Sequence, residues 1–134
     1  MSTFTKYLSE TDVAWFVHWT ATATAADDTD TLLVDFSGLS NTPLHLSVTY
    51  FRLHTNDTDV ITTIEWDQTA DAQILVQNQG ATETINLFDV TCHPTDGIVN
   101  PKGTGTTGDI FLTTSGIGAS STLDITIAGK KLFV

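Results

Sequence analysis

The sequence is short of several things, and each shortage excludes something. It holds one cysteine, Cys92, so no disulfide can close within the chain, and the redox compartment cannot be read from it. It holds five cations, Lys6, Arg52, Lys102, Lys130 and Lys131, against 16 acidic residues, for a formal charge of −11. Such a chain repels phosphate backbones and anionic lipid surfaces, so neither nucleic acid nor membrane is expected as a partner. A basic protein surface or a divalent cation would be attracted. Glutamate is scarce, three against thirteen aspartates, and only Glu65 sits in a clear strand pattern, so a paired-carboxylate glycosidase finds no support. No segment approaches the roughly 20 apolar residues of a membrane span. Residues 1–12 lack the basic-then-apolar order of a secretory signal, and the expectation is a chain made in the cytoplasm, neither secreted by an N-terminal signal nor anchored.

Threonine is the surplus, with 26 residues in 134. It is β-branched and loses side-chain freedom in helices, so this much of it favours strands. At this length one domain can bury roughly two thirds of its unfolded surface. The clearest pattern lies in residues 103–134. A glycine-rich loop leads into Asp109-Ile110-Phe111-Leu112-Thr113-Thr114, a small-residue turn follows, and strict alternation comes next. Leu123, Ile125 and Ile127 take one face, Thr122, Asp124 and Thr126 the other. Period two with β-branched residues means strands half buried on a core. Gly129-Lys130 reads as a turn into a closing Leu132-Phe133-Val134.

Earlier in the chain the same period recurs. Trp15, Val17, Trp19, Ala21 and Ala23 share a face. Leu32, Val34 and Phe36 read as inward, as do Leu44, Leu46, Val48 and Tyr50, then Val60, Thr62, Ile64 and Trp66. The last two runs, joined by Thr55-Asn56-Asp57-Thr58, read as a hairpin with a longer loop. Ala72, Ile74 and Val76 make a further strand. Residues 82–92 read as another with a bulge near Leu87-Phe88, and residues 93–108 as a long loop. The expectation is an all-β, two-layer antiparallel sandwich, jelly-roll-like, of about eight strands. Residues 13–134 form the domain. Residues 1–12, polar except for Phe4 and Tyr7, are either an arm lying on a neighbouring subunit or an edge strand of the same domain.

Several candidate chemistries can be weighed against plainer readings. Gly103-Thr104-Gly105-Thr106-Thr107-Gly108 matches a dinucleotide fingerprint by letter, but that mechanism needs a helix to follow, and here a strand does. The acidic turns Asp27-Asp28-Thr29-Asp30 and Asn56-Asp57-Thr58-Asp59 would share one end of a sandwich and could offer oxygens to calcium. Asp is equally at home accepting local backbone bonds in turns. Histidines 18, 45, 54 and 93 show no zinc spacing. Cys92 and His93 are strand neighbours and would point to opposite faces. Trp15, Trp19 and Trp66 either fill the core or stack on sugars. No catalytic residue, cofactor or metal ligand is assigned, and an enzyme is not expected.

The run Gly108-Asp109-Ile110-Phe111-Leu112-Thr113-Thr114-Ser115-Gly116, then small residues, then Leu123-Asp124-Ile125-Thr126-Ile127 and Lys130-Lys131, resembles small structural proteins of tailed bacteriophages, head decoration or cement proteins among them. The resemblance covers about 30 residues of the C-terminal part. It implies a virion protein on the capsid exterior that stabilises the head by binding the major capsid protein across capsomer seams. It implies a homo-oligomer, a trimer by preference, with Phe4 and Tyr7 as interface residues. The alternative is a sugar-binding sandwich of a tail or fibre adhesin that uses exposed tryptophans.

Overall fold

The structure, a computed structural model, describes residues 3–24, 26–57, 59–77, 83–86 and 97–134. Ten strands are described: β1 (Thr3–Glu10), β2 (Ala14–Thr24), β3 (Thr31–Val34), β4 (His45–Thr55), β5 (Ile61–Trp66), β6 (Ala72–Gln77), β7 (Glu83–Asn86), β8 (Ile98–Val99), β9 (Ile110–Ser115) and β10 (Ala119–Leu132). One sheet runs β1-β2-β10-β4-β7 with β8 against β4, and the other runs β3-β9-β5-β6. All the pairings are antiparallel. Without β1 and the short β8, each sheet has four strands. Among these eight strands the chain passes from one layer to the other at every connection but β5 to β6. That ordering is a jelly roll.

Alternation explains the layers. Trp15, Val17, Trp19, Ala21 and Ala23 of β2 are buried, as are Leu123, Ile125 and Ile127 of β10, and they meet Val60, Ile64, Trp66, Ile110 and Leu112 in one core. Threonines and charged residues mostly take the outer positions, with Thr55, Thr62, Thr114 and Lys131 buried among the exceptions. The three indoles are wholly inside, and their N–H groups lack hydrogen-bond partners.

The structure departs from the sequence expectation at four places, each for a local reason. First, β4 and β5 do not form a hairpin. β4 pairs with β10, β7 and β8, while β5 pairs with β6 and β9, so the chain crosses between layers at residues 56–60. Second, β4 carries an extra residue, Thr49, between the pairs Val48↔Gly129 and Tyr50↔Ala128. A bulge switches which parity points inward, so Leu46 and Val48 are buried before it and Phe51 and Leu53 after it. Leu44 is exposed and Tyr50 only half-buried. Third, a similar irregularity between Leu32 and Val34 turns Leu33 into the core in place of Leu32, and Phe36 opens a short 3-10 turn at Phe36–Gly38 instead of extending the strand. Fourth, Gly129-Lys130 is no turn: β10 runs on for 14 residues. The long loop expected at residues 93–108 is interrupted by β8, and the bulge expected near Leu87-Phe88 lies outside the described residues.

Gly129 is required for space. A Cβ there would overlap the carbonyl oxygen of Ser47 and fall 2.7 Å from the ring of Trp15. Trp15 sits directly across the ladder from it. Backbone cannot yield as a flexible side chain does, so Gly129→Ala is expected to destabilise the fold by about 3 kcal/mol, the upper range of overpacking. Urea denaturation checks this, and an unchanged midpoint would contradict the packing described.

Candidate functional site

β1 is an edge strand. It pairs with β2 from Thr3↔Thr22 to Glu10↔Trp15, and its other edge is open among the described residues. Residues 3–10 thus pair as a strand of the first sheet of this chain. Alternation divides its side chains. Phe4, Lys6 and Leu8 lie on the core side, and Thr3, Thr5, Tyr7 and Ser9 on the outer side. The first sheet is one strand wider than the second, so β1 overhangs it. Phe4 stays 46% exposed and Leu8 41%, although the Phe4 ring leans on the rim of Trp19 with centroids 5.7 Å apart. Tyr7 is 63% exposed on the outer face. Lys6 Nζ reaches inward to the Leu32 carbonyl at 3.4 Å. An inward charge on an edge strand discourages indiscriminate strand addition.

The end of β1 is fixed by a buried lysine. β10 keeps its period two past Gly129, which puts Lys131 on the core-facing side with its side chain fully buried. Its ammonium donates to Glu10 Oε1 at 2.7 Å, Thr11 O at 2.7 Å, and Ser40 O at 3.0 Å. Glu10 Oε1 also accepts from Ser40 N at 2.7 Å and Ser40 Oγ at 2.6 Å. The bonds from Lys131 and Ser40 stabilise the carboxylate and lower the Glu10 pKa from 4.5 to about 2.

The two acidic turns do meet at one end of the sandwich, but the side-chain oxygens of Asp27, Asn56 and Asp57 are taken up by the chain. Asp27 Oδ1 accepts from Ile117 N at 3.0 Å. Asp57 Oδ2 accepts from Ser121 Oγ at 2.6 Å and Gly118 N at 2.9 Å, and its Oδ1 from Asp59 N at 2.8 Å. Those bonds, the Ser121 hydroxyl first, hold the Asp57 carboxyl below its usual range. Asn56 Oδ1 accepts from Thr122 N at 2.9 Å. The turns thus pin the β9–β10 connection.

Among the described residues, the acidic groups with metal-ligand spacing draw on only one residue of those turns: Asp30, with Glu65 and Asp71, one oxygen of each within 4.8 Å of the rest. Burial, and then the neighbouring carboxylates Asp71 and Asp30, push the Glu65 carboxyl up, against a bond from Thr113 Oγ1 at 3.0 Å. Three oxygens are half of what calcium takes. Sequence reading missed this grouping because the three residues lie on separate strands and loops, brought together only by the pairing of β5 with β6 and β9 and of β9 with β3.

The remaining candidates resolve into packing. The glycines at 105 and 108 have positive φ, and a Cβ on Gly108 would meet the Phe36 ring at 2.7 Å. β9 follows that loop, so no helix N-terminus awaits a pyrophosphate. The three tryptophans present no surface. His18 Nε2 meets Asp124 Oδ1 at 2.8 Å on the outer face of the first sheet. His45 is buried at the start of β4, and Cys92 and His93 lie outside the described residues. No helix of the described residues is long and apolar enough to cross a membrane. No protein-family model, curated protein or solved structure matches the chain.

The lysine pairing has a pH signature. The folded-state pKa of Glu10 is depressed, so its contribution is complete above about pH 4.5 and is lost as pH falls toward 2. Glu10→Gln leaves a buried ammonium without its counter-charge and is expected to cost about 3 kcal/mol at neutral pH. It should also make the acid limb between those pH values shallower. Urea midpoints measured across pH check both, and an identical acid limb in the variant would contradict the pairing.

Proposed function

We propose that this chain is a non-catalytic structural module, a decoration or cement protein on the exterior of a tailed-bacteriophage head. The observation that carries this reading is the preformed β1 edge. It is a strand held rigidly at one end by Lys131, open along one side, and displaying Phe4, Tyr7 and Leu8. A large assembly can extend such an edge or bury its side chains, and many weak copies bind collectively. Lys6 at its centre is turned inward to the Leu32 carbonyl, and the major capsid protein is the partner proposed. The net charge of −11 suits a surface that faces away from packaged DNA. Jelly rolls serve in viral capsids and in lectins alike, so the fold by itself is only an analogy. The sugar-directed alternative drew its support from exposed tryptophans, and burial of all three rings removes that support.

The test is sedimentation of the purified chain, alone and with expanded phage capsids. The expectation is a trimer that co-sediments with the shells. Removing residues 1–12 is a poor probe, because Glu10 goes with them and Lys131 loses its partner. Tyr7→Ser together with Phe4→Ser is preferable: shell binding should fall tenfold or more while the denaturation midpoint of the sandwich moves little. A monomer that ignores shells, or full shell binding by the double variant, would overturn the reading.

A further inference from the structure

The outer face of the first sheet carries a second surface that does not depend on the assembly reading. It is an open groove of about 480 Å³ running across β1, β2, β10 and β4. Its floor is two rows set by the ladder. One is Thr3–Thr22–Thr122, and the next is Thr5–Thr20–Asp124–His54. Neighbouring strands lie about 4.8 Å apart, so the longer row spans about 14 Å, and the rows are about 6.7 Å apart along the strands. Five hydroxyls, one carboxylate and one imidazole therefore converge on one shallow trough. Tyr7 occupies the row beyond, on the same face, through its pairing with His18.

We infer that this groove binds a neutral oligosaccharide. Four features favour that class. The backbone N–H and C=O groups of β2, β10 and β4 beneath the groove face ladder partners, so a ligand lying on this face is recognised by side chains; only the outer edge of β1 has backbone groups without a ladder partner among the described residues. Every threonine hydroxyl can both donate and accept, which suits a ligand dense in hydroxyls. No lysine or arginine lines the groove and Asp124 lies in it, so phosphate, sulfate and carboxylate ligands find no cationic partner there; the nearest on this face is Arg52, at the far end of the Tyr7 row. The threonine methyls and the exposed Tyr7 ring offer apolar contact to the C–H faces of a sugar.

The floor is preorganised. Thr5 Oγ1 and Thr20 Oγ1 are hydrogen-bonded at 2.8 Å, and His18 fixes one oxygen of Asp124 at 2.8 Å. A register shift between Ala119 and Thr122 places a bulge at the rim, where Ser120 has a φ of 65°. Asn56 holds the Thr122 amide beside it. Bulges often re-aim side chains at binding sites. The groove is wide open to water, so the expected affinity is weak, on the order of millimolar.

Amide chemical shifts of the labelled full chain, followed on titration with maltotriose, cellotriose, chitotriose and mannotriose to about 10 mM, test this. At least one should give saturable shifts at residues of the two threonine rows. Thr22→Val with Thr122→Val keeps shape and strand preference while removing two hydroxyls, and should weaken that binding about tenfold without moving the denaturation midpoint. Inorganic phosphate and sialyllactose should leave these amides unshifted. The inference fails if none of the four trisaccharides shifts those rows, if the double variant binds as the parent does, or if phosphate binds there instead.

Discussion

A single buried ammonium governs how the ends of this chain are arranged. Taking the Lys131 charge out of water costs several kcal/mol unless its protons are all met. They are met by Glu10 at the end of β1, by Thr11 in the β1–β2 turn, and by Ser40 after the short 3-10 turn. These groups are far from Lys131 in sequence, so one charge requires three separate segments to be in place together. The consequence reaches the surface: β1 cannot swing away as an arm without stranding the lysine. Its outer edge, unpaired among the described residues, is held with Phe4, Tyr7 and Leu8 as a shaped feature and not as a loose tail. A preorganised edge avoids the entropy that a flexible segment loses on binding.

The layers of the sandwich could be read wherever alternation was unbroken. In β2 and β10 the residues named inward are the buried ones, because a period of two admits only one choice of face. Reading failed where one extra residue shifts the parity. Thr49 hands the inner face from Val48 to Phe51, and nothing in a run of apolar and polar residues marks which of them is the surplus one. Asn56-Asp57 was misassigned for a different reason. A turn that reverses the chain within a sheet and one that carries it to the other sheet share the same residues. Only the need of both β4 and β5 to face one core separates them. Gly129 looked like a turn for want of knowledge that Trp15 would lie over it.

The candidate site was legible in part. Phe4 and Tyr7 stand out as lone aromatics in a polar stretch, and the structure leaves both partly exposed on β1. The acidic turns were rightly expected at one end, yet the carboxylates are turned inward to amides of the β9–β10 connection, a use that sequence cannot distinguish from ion binding. Asp30, Glu65 and Asp71, and the threonine rows across β1, β2 and β10, are products of strand order and register. They exist only once Thr5, Thr20 and Asp124 are drawn side by side by the ladder. The glutamate partner of Lys131 was equally hidden, since a Lys-Lys pair near the end of a strand reads as a solvated one.

Hydrogen exchange of the free, full-length chain in its native state tests most directly the claim that β1 is a built-in edge. Amides of β1 that bond to β2, those nearest Glu10 above all, should be protected nearly as strongly as the amides of β10, because they open only when the lysine is exposed. If β1 amides instead exchange at the rate of an unstructured tail while β2 and β10 remain protected, the edge is not preformed and the account of how this protein presents itself to a partner is wrong.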